Sequence, residues 1–336
     1  MKRVTIEDVA KASEVSISTI SRFLNGRYES MSAATRDRIA QVIAELNYKP
    51  NVHAQGLKGV GTKTIAIIVV NISYPFCVSV IQSLSAVLTD AGYRLIVSDT
   101  GGDKDREQSF LQSLLAQQVE GIIIQTNGAN NDLLAQIAKH IPVIIIDRQF
   151  DIPHSINVVT NNVEASFQLT EQLFVAGYKE VIYLTEPIEG ISTRKGRLEG
   201  YEHACVKTSH KQFVVWVNKD DPVSFDHAIK HITQLPIQKP AAIFTANGLI
   251  MLGVYPLVRN EGWAVPAQYG LATFDEPDWA WLTTPPLTCI RQPTTQIGQL
   301  SGQAVLRALQ QNNLPKKRQM KVVPSHITLR GSTQLS

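Results

Sequence analysis

A short stretch near the amino terminus carries side chains suited to reading the edges of base pairs. The sequence predicts a helix from Ile17 to about Leu24, and its outward face consists of Ile17, Ser18, Ser21 and Arg22. Short side chains let a helix backbone approach the bases, and an arginine can donate two parallel hydrogen bonds to guanine O6 and N7. The pattern indicates recognition of duplex DNA in the major groove, with a protein-binding helical bundle as the alternative.

Helix-capping signals place this face in a helix-turn-helix. Thr5 followed three residues later by Asp8 fits a capping box, which predicts that a first helix starts at Ile6. After a short break in the apolar pattern, Ser16 provides a second cap, so the next helix starts at Ile17. Two helices separated by so short a break form a helix-turn-helix.

A third helix and an excess of positive charge complete the amino-terminal module. Ser32 is the predicted cap of this helix, which exposes Arg36 and Arg38 for contacts with phosphates. The first 63 residues contain ten Lys and Arg against six Asp and Glu, whereas the whole chain has a formal net charge of only +3. This distribution favours a polyanion-binding segment joined to a near-neutral globular body.

From Thr64 onward, short β-branched runs alternate with helical stretches, as in a parallel doubly wound sheet. The runs form two sets and predict two Rossmann-like halves, with a ligand-binding cleft at the carboxyl ends of the strands. The predicted strands are 65–70, 95–98, 121–125 and 143–146 in the first half, and 181–184, 214–217, 242–244 and 270–273 in the second.

Other classes of protein fit the sequence poorly. Cys77, Cys205 and Cys289 lie far apart, without zinc or redox spacing, and are expected to be buried thiols. Two acidic residues follow the amino terminus too closely for a signal peptide, and the apolar runs are of strand length. We therefore expect a cytoplasmic protein that does not enter a membrane. The dinucleotide-binding and phosphate-loop motifs are incomplete or lacking, so an enzyme is disfavoured and no cofactor or metal is expected.

Ordered matches along the whole chain resemble the lac and purine repressor family. In the amino-terminal module they include 4–10 (VTIEDVA), 19–22 (TISR) and 45–51 (ELNYKPN), and in the body 73–76 (SYPF), 146–148 (IDR), 274–276 (FDE) and 285–288 (PPLT). One departure is Glu14, which stands where the family usually has a turn glycine. We expect strain there, because a residue with a Cβ resists positive φ.

The resemblance implies an all-α helix-turn-helix headpiece joined to a periplasmic-binding-protein-like α/β body of two Rossmann-like subdomains. The implied segments are a headpiece at 1–50, a hinge helix and linker at 51–63, and an effector-binding and dimerisation domain at 64–336. The first subdomain would comprise about 64–160 and 292–322, and the second about 161–291 and 323–336. A homodimer bound to a palindromic operator is expected, because a two-fold protein matches a two-fold site.

The family's DNA contacts map onto the headpiece and hinge. Leu57 of the hinge helix would insert into a minor-groove step and kink the operator. The full implied set is Thr5, Ser16, Ile17, Ser18, Thr19, Ser21, Arg22, Asn25, Tyr48, Asn51, Ala54, Leu57 and Lys58.

The family's effector pocket maps onto residues whose chemistry suits a polyol, namely planar donors and acceptors beside an apolar wall. The implied set is Tyr74, Phe76, Asn127, Arg148, Thr193, Arg197, Asn247, Asp275 and Gln292. Any one of the polar members could instead belong to a structural ion pair.

Two further departures favour an anionic ligand. Asn161 and Gly248 stand where the family usually has aspartates, while the basic residues near the presumed cleft remain. These bases are Arg148, Arg194, Lys195 and Arg197. The expected effector is therefore a sugar acid rather than a neutral sugar, and 23–32 and 274–279 resemble the family branch that answers to 2-keto-3-deoxygluconate.

The function implied by the resemblance is sequence-specific transcriptional regulation, of repressor type, of a carbohydrate-utilisation operon. The effector would act allosterically, by changing the relation between the lobes and hence the affinity for the operator. The alternative is a sugar-binding transport protein, which shares the bilobed body but has no use for a DNA-reading headpiece.

Overall fold

The computed structural model describes residues 4–24, 26–29, 31–48 and 61–335. The chain separates into two compact units, residues 1–62 and residues 63–336. The predicted contacts at Asn25, Asn51, Ala54, Leu57 and Lys58 lie outside the described residues, as does most of the predicted hinge.

The first unit is helical. Its helices are α1 (Ile6–Ala12), α2 (Ile17–Leu24) and α3 (Ala33–Glu45). The predicted starts at Ile6 and Ile17 are confirmed. The capping box is also present, since the Thr5 hydroxyl accepts from the Asp8 amide at 3.3 Å and the Asp8 carboxylate accepts from the Thr5 amide at 2.8 Å. Ser32 caps α3 as predicted.

An apolar core packs these helices against one another, and Glu14 makes the turn between α1 and α2. The buried members of the core include Val9, Ala10, Ile20, Ile39, Val42 and Tyr48. Glu14 has a φ of +53°, in the left-handed region where the sequence predicted strain. A side chain in this region costs about 1 kcal/mol, which the packing of the core must offset.

The first lobe of the second unit is a parallel sheet flanked by helices. Its strands are β1 (Thr64–Val69), β2 (Arg94–Asp99), β3 (Gly121–Ile124), β4 (Val143–Ile146), β5 (Ser155–Thr160) and β11 (Gln319–Val323). Its helices are α4 (Pro75–Asp90), α5 (Lys104–Ala116), α6 (Asn131–Ile137) and α11 (Thr294–Gln311). The strand order is β11-β5-β4-β3-β1-β2, which leaves β2 at one edge.

The second lobe repeats this arrangement. Its strands are β6 (Glu180–Thr185), β7 (Phe213–Trp216), β8 (Ala241–Thr245), β9 (Tyr269–Phe274), β10 (Thr288–Arg291) and β12 (His326–Thr328). Its helices are α7 (Asn162–Val175), α8 (Ser192–Lys207), α9 (Pro222–His231) and α10 (Gly248–Asn260). The order is β12-β10-β9-β8-β6-β7, with β12 antiparallel to β10.

The predicted runs are all strands, with ends that differ by a residue or two, whereas β5, β10, β11 and β12 were not among the predicted runs. β5 (SINVVT) and β10 (TCIR) contain polar residues, and β11 and β12 are edge strands in which most residues are at least partly exposed. Neither feature gives an apolar run. The chain passes from the first lobe to the second at 160–162, back to the first at 291–294, and again to the second at 323–326. β11 therefore joins the first sheet and β12 the second.

Close helix packing fixes the position of α8, which carries Arg197. A Cβ at Gly200 would lie 2.2 Å from the carbonyl oxygen of Val163 on α7. In the first lobe, a Cβ at Gly298 would lie 2.6 Å from the carbonyl oxygen of Val80, where α11 meets α4. Glycine at both positions lets paired helices approach until their backbones are in contact, which leaves little freedom for the side chains they present.

The expectation of buried thiols is confirmed. All three cysteines are free and buried, and burial raises the pKa of Cys205 to about 11 and that of Cys77 to about 12. Both are therefore protonated near neutral pH.

In the described parts of the chain, no helix is both long enough and apolar enough to cross a membrane.

Candidate functional site

Helix α2 is strongly amphipathic and presents the predicted outward face to solvent. Ile17 is 42% exposed, and Ser18 and Arg22 are also exposed, whereas Ile20 is fully buried. The Ser16 hydroxyl accepts from the Thr19 amide at 3.2 Å and so holds the first turn of the helix. An apolar residue as exposed as Ile17, beside small hydroxyls and an arginine, suits contact with base edges in a major groove.

The loop after α2 adds an aromatic and cationic cluster that was not predicted from the sequence. The ring of Tyr28 meets Phe23 edge to face, with centroids 5.8 Å apart. The guanidinium of Arg36 lies 5.5 Å from the centre of the Tyr28 ring. Arg36 and Arg38 are both exposed, as predicted, so α3 presents positive charge to solvent.

Some residues in the predicted DNA-contact set also have structural roles. Thr5 uses its hydroxyl and its amide in the cap of α1. Tyr48 is only 9% exposed and packs in the core of the first unit. Ser21 and Thr19 are half-buried on α2. The outward face therefore depends mainly on Ile17, Ser18 and Arg22.

In the second unit, two aspartates occupy equivalent positions at the carboxyl ends of the sheets. Asp147 directly follows β4 and has a φ of +65°, and Asp275 directly follows β9 with a φ of +71°. Each accepts from a glutamine amide at 2.6 Å, Asp147 from Gln125 and Asp275 from Gln292. The lobes thus present matching carboxylates at the strand ends where ligands of such sheets bind.

Arg148 is a buried cation that forms no salt bridge among the described residues. It is 8% exposed, and it donates to the backbone carbonyl of Thr126 at 3.2 Å and to the side-chain oxygen of Asn127. Its Nε has no hydrogen-bond partner in the described part of the chain. Burial lowers the pKa of Arg148, while Asp147 raises it. A buried guanidinium with an unpartnered N–H group can donate a hydrogen bond to an anionic ligand.

Arg197 is buried as well, but the protein uses more of its hydrogen-bonding capacity. It donates to the side chain of Asn162 at 2.8 Å and to the carbonyl of Ala246 at 2.7 Å, and its guanidinium stacks 3.7 Å from the centre of the Phe274 ring. These contacts hold it rigidly beside the strand ends. Thr193, one turn earlier on α8, is also buried.

Burial at the strand ends also perturbs Asp147. Burial raises the pKa of Asp147, and the neighbouring Arg197 and Arg148 oppose that rise. This carboxyl group therefore takes up a proton more readily than an exposed aspartate.

Asn247 is held in a cluster with an acid that was not singled out from the sequence. Its side-chain oxygen caps α10, and its amide donates to Glu186 at 3.0 Å. Glu186 is buried and also pairs with Arg194 at 2.8 Å. Of the bases expected to attract an anion, Arg194 is thus already neutralised, and Lys195 is exposed on α8.

The two positions that lack the family's aspartates have different surroundings. The Asn161 side chain accepts from the amide and the hydroxyl of Ser325, both at 2.8 Å, and so ties together two crossovers between the lobes. Gly248 lines a cavity, where a Cβ would lie 3.3 Å from Pro277. Gly248 thus bears on the space available to a ligand, whereas Asn161 holds the lobes together.

Four of the predicted effector contacts, Tyr74, Phe76, Asp275 and Gln292, line a cavity of about 430 Å³ between the lobes. The residues described as lining it do not include the other five, Asn127, Arg148, Thr193, Arg197 and Asn247. Phe76 is 4% exposed and forms part of its wall. The Tyr74 hydroxyl donates to Asp275 across the cleft. A second bond between the lobes joins the Gln149 amide to the Ser192 hydroxyl at 2.8 Å.

Comparison with known proteins identifies the family. Residues 5–51 match the family of bacterial regulatory proteins called lacI, and residues 62–324 match the family of periplasmic binding proteins and the sugar binding domain of the LacI family. The chain belongs to the LacI family. It is therefore a DNA-binding transcriptional regulator, and the resemblance stated from the sequence is confirmed.

Relatives in the LacI family align with nearly the whole chain. The transcriptional regulator PtxS of Pseudomonas plecoglossicida is 32% identical over 337 residues, which cover 99% of this chain and 96% of that protein. The transcriptional regulator KdgR of Bacillus subtilis is 33% identical over 311 residues, 91% of each chain. A structure of the lac repressor dimer bound to operator and the anti-inducer ONPF matches with a TM-score of 0.83 at 25% identity, over 99% of this chain and 100% of that one.

Several polar residues of the LacI-type cleft were missed at the level of sequence. Gln125, Asp147, Asn162 and Glu186 all lie in the contacts described above, and each ends or closely follows a strand. The signal that could have identified them is therefore position, namely a polar residue directly after a buried parallel strand.

Proposed function

We propose that this LacI-family regulator represses a carbohydrate-utilisation operon and responds to a sugar acid such as 2-keto-3-deoxygluconate. It would act as a homodimer on a palindromic operator. The observation that carries the choice of effector is Arg148, a buried guanidinium with an unpartnered Nε and no ion pair among the described residues.

The distribution of charge in the cleft supports an anionic, polyhydroxylated ligand. A buried cation is costly unless an anion pairs with it, and a ligand carboxylate would supply that anion at Arg148. Asp147 and Asp275 are acceptors suited to hydroxyl groups, and Arg197 is a rigid donor nearby. A sugar acid combines the required carboxylate with the required hydroxyls.

The name of one relative is consistent with a carbohydrate effector. The ribose operon repressor of Haemophilus influenzae is 27% identical over 311 residues, which cover 92% of this chain and 93% of that protein. An acid, rather than a neutral sugar, is favoured here by the unpaired Arg148.

Exposed apolar side chains support the proposed homodimer. In the first lobe, β2 is an edge strand on which Val97 is 38% exposed. In the second lobe, Trp281 is 61% exposed and Leu282 is 83% exposed. Apolar residues of this size and an open strand edge are commonly covered by another chain, and a second copy could cover both lobes.

The direct test of the effector class is calorimetric titration of the purified protein with sugar acids and neutral sugars. We expect heat of binding from 2-keto-3-deoxygluconate or gluconate and little from glucose or ribose. Binding of the neutral sugars alone would contradict the assignment of a sugar acid. A thermal-shift screen on the same compounds gives an independent readout, because a ligand that binds only the folded state raises the melting temperature.

The raised pKa of Asp147 predicts how sugar-acid affinity depends on pH. The group is neutral below its raised pKa and charged above it, and its charged form repels the carboxylate of the effector. We therefore expect the affinity for gluconate to fall as the pH rises through the raised pKa of Asp147, which lies above the pH range in which gluconate itself becomes ionised.

Asp147→Asn should remove this pH dependence, since it keeps an oxygen that can accept from Gln125 but cannot ionise. The matched control is Asp151→Asn, because Asp151 is 87% exposed in an ion pair with Arg318. An unchanged pH profile in the Asp147 variant would show that another group controls the affinity.

A further inference from the structure

Both oxygens of the Asp275 carboxylate already accept hydrogen bonds from the protein. Gln292 donates to one oxygen at 2.6 Å, and the Tyr74 hydroxyl donates to the other. Tyr74 belongs to the first lobe and Asp275 to the second, while Gln292 lies in the crossover at 291–294. The acceptor expected to receive an effector hydroxyl is therefore engaged by a phenol from across the cleft.

The Tyr74 hydroxyl lies among the charges of the proposed effector site. Burial raises the pKa of Tyr74 well above its usual value, and Asp275 raises it further, while Arg197 lowers it and Asp147 has a smaller raising effect. The phenol therefore keeps its proton and acts as a donor to Asp275. Its oxygen lies against the Asp275 carboxylate, where an effector hydroxyl bound to Asp275 would also have to lie.

The donors to Asp275 differ in how easily they can leave. Gln292 is 7% exposed, and turning its amide would bring its oxygen against the carboxylate, so its contact with Asp275 is fixed. Tyr74 is half-buried, directly precedes α4 and reaches Asp275 only across the cleft. A small movement of the lobes, or a rotation of the hydroxyl about the Cζ–O bond, releases this bond, whereas Gln292 keeps the carboxylate oriented.

We propose that Tyr74 is a placeholder whose hydroxyl competes with an effector hydroxyl for Asp275, so that binding exchanges one hydrogen bond for the other. The proposal rests on the proposed function only in that the effector is hydroxylated and binds in this cleft. It does not require the effector to be an acid. Tyr74 then disfavours ligands that lack a suitably placed hydroxyl. Such a ligand breaks the bond between Tyr74 and Asp275 without forming a new hydrogen bond to Asp275.

Tyr74→Phe removes the competing donor and keeps the ring. With gluconate and 2-keto-3-deoxygluconate as probes, calorimetry is expected to show affinity about 10-fold higher than in the unaltered protein, since a charge-assisted hydrogen bond no longer has to be broken. Tyr93→Phe is the matched control. Tyr93 lies in the first lobe beside Lys63, which donates to its hydroxyl at 3.2 Å, and its removal should leave affinity unchanged. Equal or weaker binding by the Tyr74 variant would overturn the proposal.

A spectroscopic readout follows the phenol itself. In protein labelled with carbon-13 at tyrosine Cζ, the Tyr74 resonance is identified by its loss in Tyr74→Phe. It should shift when either probe saturates the protein, while the Tyr93 resonance stays in place. A Tyr74 resonance that is unmoved at saturation would contradict the exchange.

The outcomes for the two proposals can be separated. If only glucose or ribose binds, the sugar-acid assignment fails, and the Tyr74 variant is then measured with that sugar. If no sugar or sugar acid binds in calorimetry, both proposals are wrong.

Discussion

Arg148→Met is expected to weaken sugar-acid binding by about 100-fold or more, because it removes the buried cation that pairs with the ligand carboxylate. The same substitution should leave the free energy of unfolding unchanged or higher. Replacing a buried charge by an apolar side chain of similar length is often neutral or stabilising, and Arg148 forms no salt bridge in the described chain. Asp147, whose pKa Arg148 lowers, can take up a proton when that cation is removed. Loss of affinity without loss of stability is the mark of a residue kept for binding.

Calorimetry with gluconate and denaturation with urea measure the two effects. Lys195→Met is the matched control, since it removes the same charge from an exposed position on α8. Arg148→Lys tests geometry, because an ammonium group cannot make the forked pair of bonds to a carboxylate. Gluconate binding that survives in the methionine variant would show that the carboxylate lies elsewhere.

Arg22→Ala is expected to weaken binding to the preferred operator by about 1 to 3 kcal/mol, or roughly 5- to 150-fold, because a base-contacting arginine is lost. Binding to duplexes of unrelated sequence should change much less, so the ratio of specific to non-specific affinity falls. Arg22 lies on the exposed face of α2, away from the buried Ile20, so the fold should persist. The operator is first selected from a pool of random palindromic duplexes, and fluorescence anisotropy then gives both affinities.

Arg38→Ala is the matched control for that experiment. Arg38 is exposed on α3, and a phosphate contact there should contribute equally to all sequences. Its loss is expected to weaken specific and non-specific binding alike and to reduce the dependence on salt. If Arg22→Ala behaved in the same way as Arg38→Ala, base recognition would have to be assigned to another residue.

The elements specified by local chemistry were predicted well. The caps at Thr5, Ser16 and Ser32 each satisfy backbone amides within three residues, so their signal is contained in a few letters of sequence. The central strands are buried on both faces and therefore appear as apolar runs. Edge strands such as β11 have no such apolar run. β11 is a strand because it pairs with β5, which lies more than 150 residues earlier in the chain.

Many residues of the candidate site could be named from the sequence, but the hydrogen bonds between them could not. Arg148 and Arg197 were named from the family resemblance, yet only the structure shows that Arg197 is bonded to Asn162 and Ala246 while the Nε of Arg148 is unpartnered among the described residues. The contact between Tyr74 and Asp275 joins residues 201 positions apart and depends on how the lobes close. No local pattern encodes such a contact.

The same limit applies to the argument from missing acids. The substitution at Asn161 was interpreted as the loss of a charge from the cleft, but its side chain holds Ser325 at a crossover. Glu186, which was not considered, supplies a buried acid that pairs with Arg194. The case for an anionic effector therefore depends on Arg148 rather than on a count of charges.

Operator binding measured with and without a sugar acid reports the coupling between the effector site and the headpiece. Typical coupling energies of 1 to 3 kcal/mol correspond to a change in affinity of roughly 5- to 150-fold. We predict that saturating 2-keto-3-deoxygluconate or gluconate changes operator affinity by an amount in this range, and that glucose and ribose do not. Operator affinity that stays constant with every sugar acid, or that responds only to a neutral sugar, would contradict the account.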